Sequence, residues 1–268
     1  VSRTPRLTLL KLGGSLITDK TGVESVRQDA LDRLAREIAR ALPKLRGGLL
    51  IGHGAGSFGH VAARKHGVGK GPLDARGLRG AARTQDRAAA LHRIVIAALL
   101  RAGAPTFSLA PSSFLTSRSG KPRTVGLDAL CGALDRGMLP VIYGDVVQDE
   151  AWGASICSTE NLFLALAPRL QRKGYRIQRA LWLGETEGIY DSEGRTLSRL
   201  RRKDLRGLGA AVGGSRGTDV TGGMAHRLDA AGRLAARDIP SLICDGRVRG
   251  RLGRALAGKD VPGTHVVP

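Results

Sequence analysis

The stretch Gly52-His53-Gly54-Ala55-Gly56-Ser57-Phe58-Gly59-His60 gathers the residues of this chain best suited to holding an anion. Glycines, lacking a Cβ, let the backbone take positive φ and approach a ligand closely, and free N–H groups at a helix start face negative charge. The run Gly48-Leu49-Leu50-Ile51 before the turn reads as a strand, and Val61 to His66 after it as a helix. His53 and His60 bracket the turn, and each can add a hydrogen bond. A tight strand-to-helix connection with solvent-facing imidazoles competes with this, and the glycines alone leave the two open. A second turn, Gly13-Gly14-Ser15, stops the β-like run Leu7 to Leu12 and lies between Lys11 and Lys20; a third, Gly222-Gly223, follows Gly217 to Thr221. Three such turns near cations suit a site that holds several phosphates at once. Lys11 or Lys20 could neutralise charge on a transferring phosphoryl group, which is most of what such a site must supply. A strand-end lysine is also commonly a surface cation.

The turns act together only if the elements carrying them place them on one edge. Leu31, Leu34, Ile38 and Leu42 recur at helical spacing, which predicts an amphipathic helix over Val26 to Leu42, ended by Pro43. A glycine-rich connection, 67 to 80, leads into a long helix over 81 to 101. Pro105 to Leu109 reads as a strand, Ser112 to Arg123 as a polar loop of the type that folds over a ligand, Leu127 to Asp135 as a helix, and Leu139 to Tyr143 as a strand bounded by Gly144-Asp145. Helices over Ser158 to Leu166 and Ala225 to Ala236, strands over Ala180 to Leu183 and Ser241 to Cys244, a basic connection Arg199 to Leu208 with a short helix, and an edge strand Gly263 to Val267 complete the second half. This alternation predicts an α/β fold: one mainly parallel sheet with helices on both faces. In such a sheet the carboxyl ends of the strands share one edge, where ligands bind.

Composition bounds the rest. The 268 residues, 42% hydrophobic, suffice for a buried core, and no run approaches the roughly 20 apolar residues of a membrane span. Val1 to Arg6 leads into no signal-type segment, so a cytoplasmic location without membrane association is expected. Cys131, Cys157 and Cys244 read as buried free thiols without metal-ligand spacing. The 43 Lys and Arg against 23 Asp and Glu give +20, an attraction for anions of every kind. The densest basic run, Arg199 to Arg206, contains none of the two Trp, three Tyr and four Phe, which argues against a single-stranded nucleic-acid interface. No GxxxxGK[ST] loop, HRD/DFG pair, GxSxG elbow or HExxH helix occurs. Gly54 to Gly59 fits GxGxxG formally, but the expected acid near Asp74 falls in a glycine-rich connection.

Taken in order, Lys11-Leu12-Gly13-Gly14-Ser15-Leu16-Ile17-Thr18-Asp19-Lys20, His53-Gly54-Ala55-Gly56-Ser57-Phe58-Gly59-His60, Gly144-Asp145-Val146-Val147 and Asp219-Val220-Thr221-Gly222-Gly223-Met224 resemble the amino acid kinase superfamily, and within it the isopentenyl phosphate kinases, over about residues 7 to 267. The resemblance implies an αβα sandwich in a single domain, with a substrate lobe at about 1–157 and a nucleotide lobe at about 158–268. It further implies transfer of the ATP γ-phosphoryl group, with Mg²⁺, to isopentenyl phosphate in an alternative mevalonate pathway, by a homodimer. By the same resemblance Lys11, Gly13, Gly14 and Ser15 line the ATP phosphates, Lys20 steadies the transferred group, and Gly54, Ala55 and Gly59 lie between the donor and acceptor phosphates. His60 donates a hydrogen bond to the acceptor, Gly144 and Asp145 form the far wall of the substrate site, and Gly222 and Gly223 line the ATP tail.

The chain departs from the family pattern at Arg227 (commonly Lys), Glu185 (commonly Asp), Glu160 (likewise one methylene longer) and Ala55 (Gly), all four near the expected nucleotide and substrate sites. The Ala-rich helix from residue 81 is the expected wall of a prenyl pocket. Two other readings stay open: a kinase of the same fold acting on a phosphonate such as fosfomycin, an amino acid or UMP, and a basic nucleic-acid binder on a kinase scaffold.

Overall fold

Along β1 (Arg6–Leu12) the side chains alternate between two apolar layers: Leu7 and Leu9 join one core cluster, Leu10 and Leu12 the other. A strand apolar on both sides must be covered by helices on both. The computed structural model describes residues 4–19, 22–45, 47–69, 71–205 and 222–268.

After β1 come a helical turn α1 (Gly14–Ile17), the short strands β2 (Thr18–Asp19) and β3 (Ser25–Val26), and α2 (Gln28–Ala41). Next are β4 (Gly48–His53), α3 (Gly56–His66), α4 (Ala75–Arg101), β5 (Thr106–Ser108), β6 (Leu115–Arg118), β7 (Lys121–Val125) and α5 (Asp128–Asp135). The chain continues through β8 (Leu139–Tyr143), β9 (Asp145–Asp149), β10 (Gly153–Cys157), α6 (Thr159–Arg172), β11 (Arg176–Gly184) and β12 (Arg199–Arg201). The last described elements are α7 (Gly222–Ala235), β13 (Ser241–Asp245), α8 (Arg251–Leu256) and β14 (Thr264–Val267).

Eight strands form the main sheet in the order β12-β14-β13-β11-β1-β4-β8-β5, parallel except where β13 meets β14. One face buries Leu50, Ile142, Trp182 and Ile243 with Phe163 of α6 and Leu234 of α7; the other buries Ile51, Val141, Leu183 and Leu242 with Leu34 of α2 and Val95 of α4. The α/β layering is as expected. Two smaller sheets, β10-β9-β6-β7 and β2-β3, stand beside the main sheet, where a single sheet is expected from the sequence.

Other elements differ from expectation. Ser112 to Arg123 forms mostly the β6–β7 hairpin, because the Asp149 carboxylate accepts from the N–H groups of Ser119 and Gly120 and so pins its turn. α4 starts at Ala75, since the Asp74 side chain caps the Gly77 N–H at 2.7 Å. β14 lies between β12 and β13 and is no edge. α6 runs on to Arg172 through Pro168, and part of the basic connection is β12. Cys157 and Cys244 are buried free thiols, whereas Cys131 is half-buried.

Candidate active site

The strands β1, β4, β8, β11 and β13 end side by side: Leu12 pairs with His53 and Leu183, His53 with Tyr143, and Gly184 with Asp245. Past those ends the ladder continues by one bond in each turn. The Gly13 N–H donates to the Leu183 carbonyl (2.9 Å), Gly54 to Leu12 (3.0 Å), Gly144 to His53 (2.9 Å) and Gly246 to Gly184 (2.9 Å). The turns are thereby fixed on one edge.

The first two turns touch through bare backbone. A Cβ on Gly14 would lie 2.6 Å from the Gly56 nitrogen, and one on Gly54 would lie 2.9 Å from the Gly14 nitrogen, both closer than side-chain carbon tolerates. Gly56 opens α3 at φ +51°, a conformation open to glycine, and a Cβ there would strike the Thr18 hydroxyl. That hydroxyl donates to the Gly14 carbonyl (2.8 Å) and accepts from the Ser57 N–H (3.0 Å), tying the turns together. Gly14, Ser15, Gly54 and Ala55 stay partly open to solvent. The helix begins inside the glycine stretch instead of at Val61, so the N-terminus of α3 belongs to the cradle.

Beside the cradle three charges are buried. Lys11 has the parity of Leu7 and Leu9, which sends its side chain to the face of α6 and α7, where it pairs with Glu160 in the first turn of α6. Burial lowers the Lys11 pKa, with Glu160 opposing and Arg227 adding to the fall. For Glu160 burial pushes upward, but the charge and hydrogen bond of Lys11 outweigh it and the net shift is down. Arg227 of α7 packs its guanidinium against Gly184, and its Nε is buried without a hydrogen-bond partner among the described residues. Burial lowers its pKa too, with Glu160 opposing; an arginine stays charged regardless. Two cations against one carboxylate leave a net positive charge for an anion.

Gly13 joins this group, its Cβ position 2.8 Å from the Leu183 carbonyl and 3.6 Å from the Arg227 guanidinium. Ala55 precedes α3, and Gly59 lies so close that a Cβ would meet that of Ala55 at 2.5 Å. Gly222 and Gly223 are the first two residues of α7, which also carries Arg227. Gly144 sits against the start of α6. The Asp145 carboxylate, buried, accepts from the N–H groups of Ser112 (3.1 Å) and Val146 (2.8 Å); burial raises its pKa and those hydrogen bonds oppose the rise. Glu185 is paired with Arg27 at 2.7 Å. Lys20 and the Asp219 to Thr221 part of the third turn lie outside the described residues, as does the side chain of His60, whose backbone stands one turn along α3 from Gly56. The His53 ring is not solvent-facing: with the parity of Leu49 and Ile51 it faces α4 and is fully buried, and its hydrogen bond to the turn goes to the Gly54 carbonyl (3.0 Å).

Residues 6–245 match the amino acid kinase family. The chain belongs to that family. Among its relatives, the isopentenyl phosphate kinase of Methanothermobacter thermautotrophicus is 34% identical over 97% of this chain and 98% of its own length, and that of Haloferax volcanii 34% identical over 83% and 86%. A crystal structure of isopentenyl phosphate kinase superposes with a TM-score of 0.81 at 31% identity, covering 97% of this chain and 99% of that one.

Sequence reasoning assigned no role to Thr18, Arg27 or His92 in this amino acid kinase fold, and noted Glu160 only for its length. Glu160 had a signal: a lysine on the buried parity of β1 demands a carboxylate. Thr18 and Arg27 had none, since their partners lie in turns whose approach the spacing does not reveal.

Proposed function

We propose that this protein transfers the γ-phosphoryl group of ATP to isopentenyl phosphate, giving isopentenyl diphosphate. The observation that carries this is the backbone contact between the turns at Gly14 and Gly54–Gly56 beside buried Lys11 and Arg227, a cradle that a single Cβ would fill. The relatives named above favour the same acceptor.

The residues fit polyphosphate. The Nε of Arg227, unpartnered among the described residues, is a donor in want of an acceptor, and the main chain at Gly14 and Ala55 is partly open to solvent. A phosphate monoester has its second pKa near 6, so the acceptor is already a dianion at neutral pH and needs no base. An acceptor oxygen attacks Pγ, the bond from Pγ to the β–γ bridging oxygen breaks, and ADP departs. The site's task is to place the two anions in line and offset their charge. In this reading Lys11, held by Glu160, and Arg227 supply positive charge on the nucleotide side, with Gly13, Gly14, Ser15, Gly222 and Gly223 at its phosphates and tail. Gly54, Ala55, Gly59 and His60 face the acceptor, with Gly144 and Asp145 behind it, and Lys20 steadies the group in flight. Glu185, tied to Arg27, borders the nucleotide.

Mg²⁺ would add charge compensation on the phosphates. No group of three or more His, Cys, Asp or Glu among the described residues could hold it alone, which fits an ion bound mainly by phosphates and water. Ala63 of α3, Val68 just past its end, Ala81 of α4 and Val146 of β9 pack into a buried apolar cluster, and we place the prenyl tail against the outside of it. Among the described residues no helix is long and apolar enough to cross a membrane. A homodimer in the cytoplasm, and the division into lobes at about 1–157 and 158–268, complete the proposal.

An acceptor panel with ATP tests it. Isopentenyl phosphate should turn over while fosfomycin, glutamate and UMP do not; turnover of one of those with isopentenyl phosphate inert overturns the acceptor, and salt-sensitive RNA binding without any turnover overturns the enzyme.

A further inference from the structure

Behind the second glycine turn, on the side away from Lys11, three rings are stacked. His53 closes β4, Tyr143 closes β8, and His92 reaches them from α4, with ring centroids 4.3 to 5.8 Å apart. Nothing in the transfer chemistry above uses them. Their hydrogen bonds form a single chain: His53 Nδ1 lies 3.0 Å from the Gly54 carbonyl, His53 Nε2 3.0 Å from His92 Nδ1, and His92 Nε2 2.8 Å from the Ser108 hydroxyl.

Only one proton arrangement satisfies that chain in neutral rings. A carbonyl can only accept, so His53 carries its proton on Nδ1 and its Nε2 is bare. His92 must then donate from Nδ1, which leaves its own Nε2 to accept from Ser108. Burial keeps both rings uncharged, and Tyr143, whose phenol is pushed well above its ordinary range by burial and by Asp145, adds no charge. Ser108 is exposed, so the chain runs from the surface to the back of the turn.

The consequence lies in the peptide that the chain ends on. A trans peptide is planar, with its C=O and N–H pointing oppositely. Holding the Gly54 carbonyl toward His53 therefore turns the Ala55 N–H away from α4, and no acceptor among the described residues takes it. We propose that His53 is a positioning residue of the transfer site: it locks the Gly54–Ala55 peptide with its N–H presented to the phosphates, while His92 and Ser108 lock the tautomer of His53. This rests on reading the turn as a phosphate cradle.

The test uses the full chain with ATP and isopentenyl phosphate. His53→Leu removes the donor; His53→Asn restores an N–H near the position of Nδ1; His92→Phe keeps a ring against Tyr143 but cannot donate. His53→Leu should lose kcat on the order of 10- to 100-fold with both KM values within about threefold, and His53→Asn should stay within about fivefold of the parent kcat. His92→Phe should fall between them. Nitrogen-15 spectra of the histidine-labelled parent should show protonated Nδ1 and bare Nε2 in both buried rings. An unchanged kcat in His53→Leu, equal losses in the Asn and Leu variants, or an Nε2-protonated ring overturns the proposal alone. Should the Leu variant not fold, the Asn and Phe variants and the parent spectrum decide it. A parent inert toward isopentenyl phosphate overturns the reading of the site, and this proposal with it.

Discussion

Lys11 and Glu160 are the residues on which the electrostatics of the edge turn. Each is buried, and each is tolerable there only because of the other. Glu160→Gln would leave Lys11 and Arg227 as adjacent buried cations, and chemical denaturation should register a loss of about 3–5 kcal/mol. Replacing the pair together, Lys11→Met with Glu160→Leu, should restore much of that stability while abolishing transfer. A double variant that stays active would show that Lys11 is structural. Lys11 was legible in the sequence as a candidate, through its place beside Gly13-Gly14. Its burial was legible too, through the parity it shares with Leu7 and Leu9. His53 was legible in part: its place beside the glycines matches its hydrogen bond to the Gly54 carbonyl, while the parity it shares with Leu49 and Ile51 buries the ring toward α4 and excludes a solvent-facing imidazole.

At the scale of elements, the cradle exists because two strand-to-helix turns pack main chain on main chain. Gly14→Ala places a methyl 2.6 Å from the Gly56 nitrogen and 2.7 Å from its Cα, atoms that cannot swing aside. Turnover should fall on the order of 100-fold and stability by about 1–3 kcal/mol, read by steady-state kinetics and thermal unfolding. Retention of near-parent turnover would mean that the turns need not touch. The start of α3 inside Gly56–Gly59 could not be read from propensity, because glycine costs a helix roughly 1 kcal/mol each and predicts a turn. The β6–β7 hairpin was hidden for a similar reason: its register depends on Asp149, a residue far along the chain.

The α4–β4 packing carries a pH dependence of its own. Burial holds the His53 pKa down at about 4, with the Gly54 hydrogen bond opposing, and burial together with His53 holds His92 at about 2, against an ordinary value of 6.5. Below 6.5 the unfolded chain takes up protons that the fold refuses. Stability is therefore whole above that value and falls as pH drops toward 4, by on the order of 3 kcal/mol for His53 alone. Denaturation at pH 7 and pH 4.5 should show the fall, reduced in His92→Phe; equal slopes in the two proteins would contradict it.

For the molecule as a whole, the layered α/β plan was written in the alternation of apolar runs, and the order of its glycine motifs matched the family. The small β10-β9-β6-β7 sheet was not, since β9 follows β8 after a single residue, Gly144, and the two read as one strand and a boundary. The excess of basic residues marks the surface but does not locate the site; Lys11 and Arg227 are set apart by burial, not by charge alone. In the proposed reaction one edge of the main sheet receives both anions. A crystal structure with a non-hydrolysable ATP analogue and isopentenyl phosphate tests that most directly. The analogue's γ-phosphate and the acceptor phosphate should both lie in hydrogen-bonding reach of the turns at Gly14 and Gly54–Gly56, with Arg227 on the nucleotide; phosphates bound anywhere else, or at that edge on one substrate only, would contradict it.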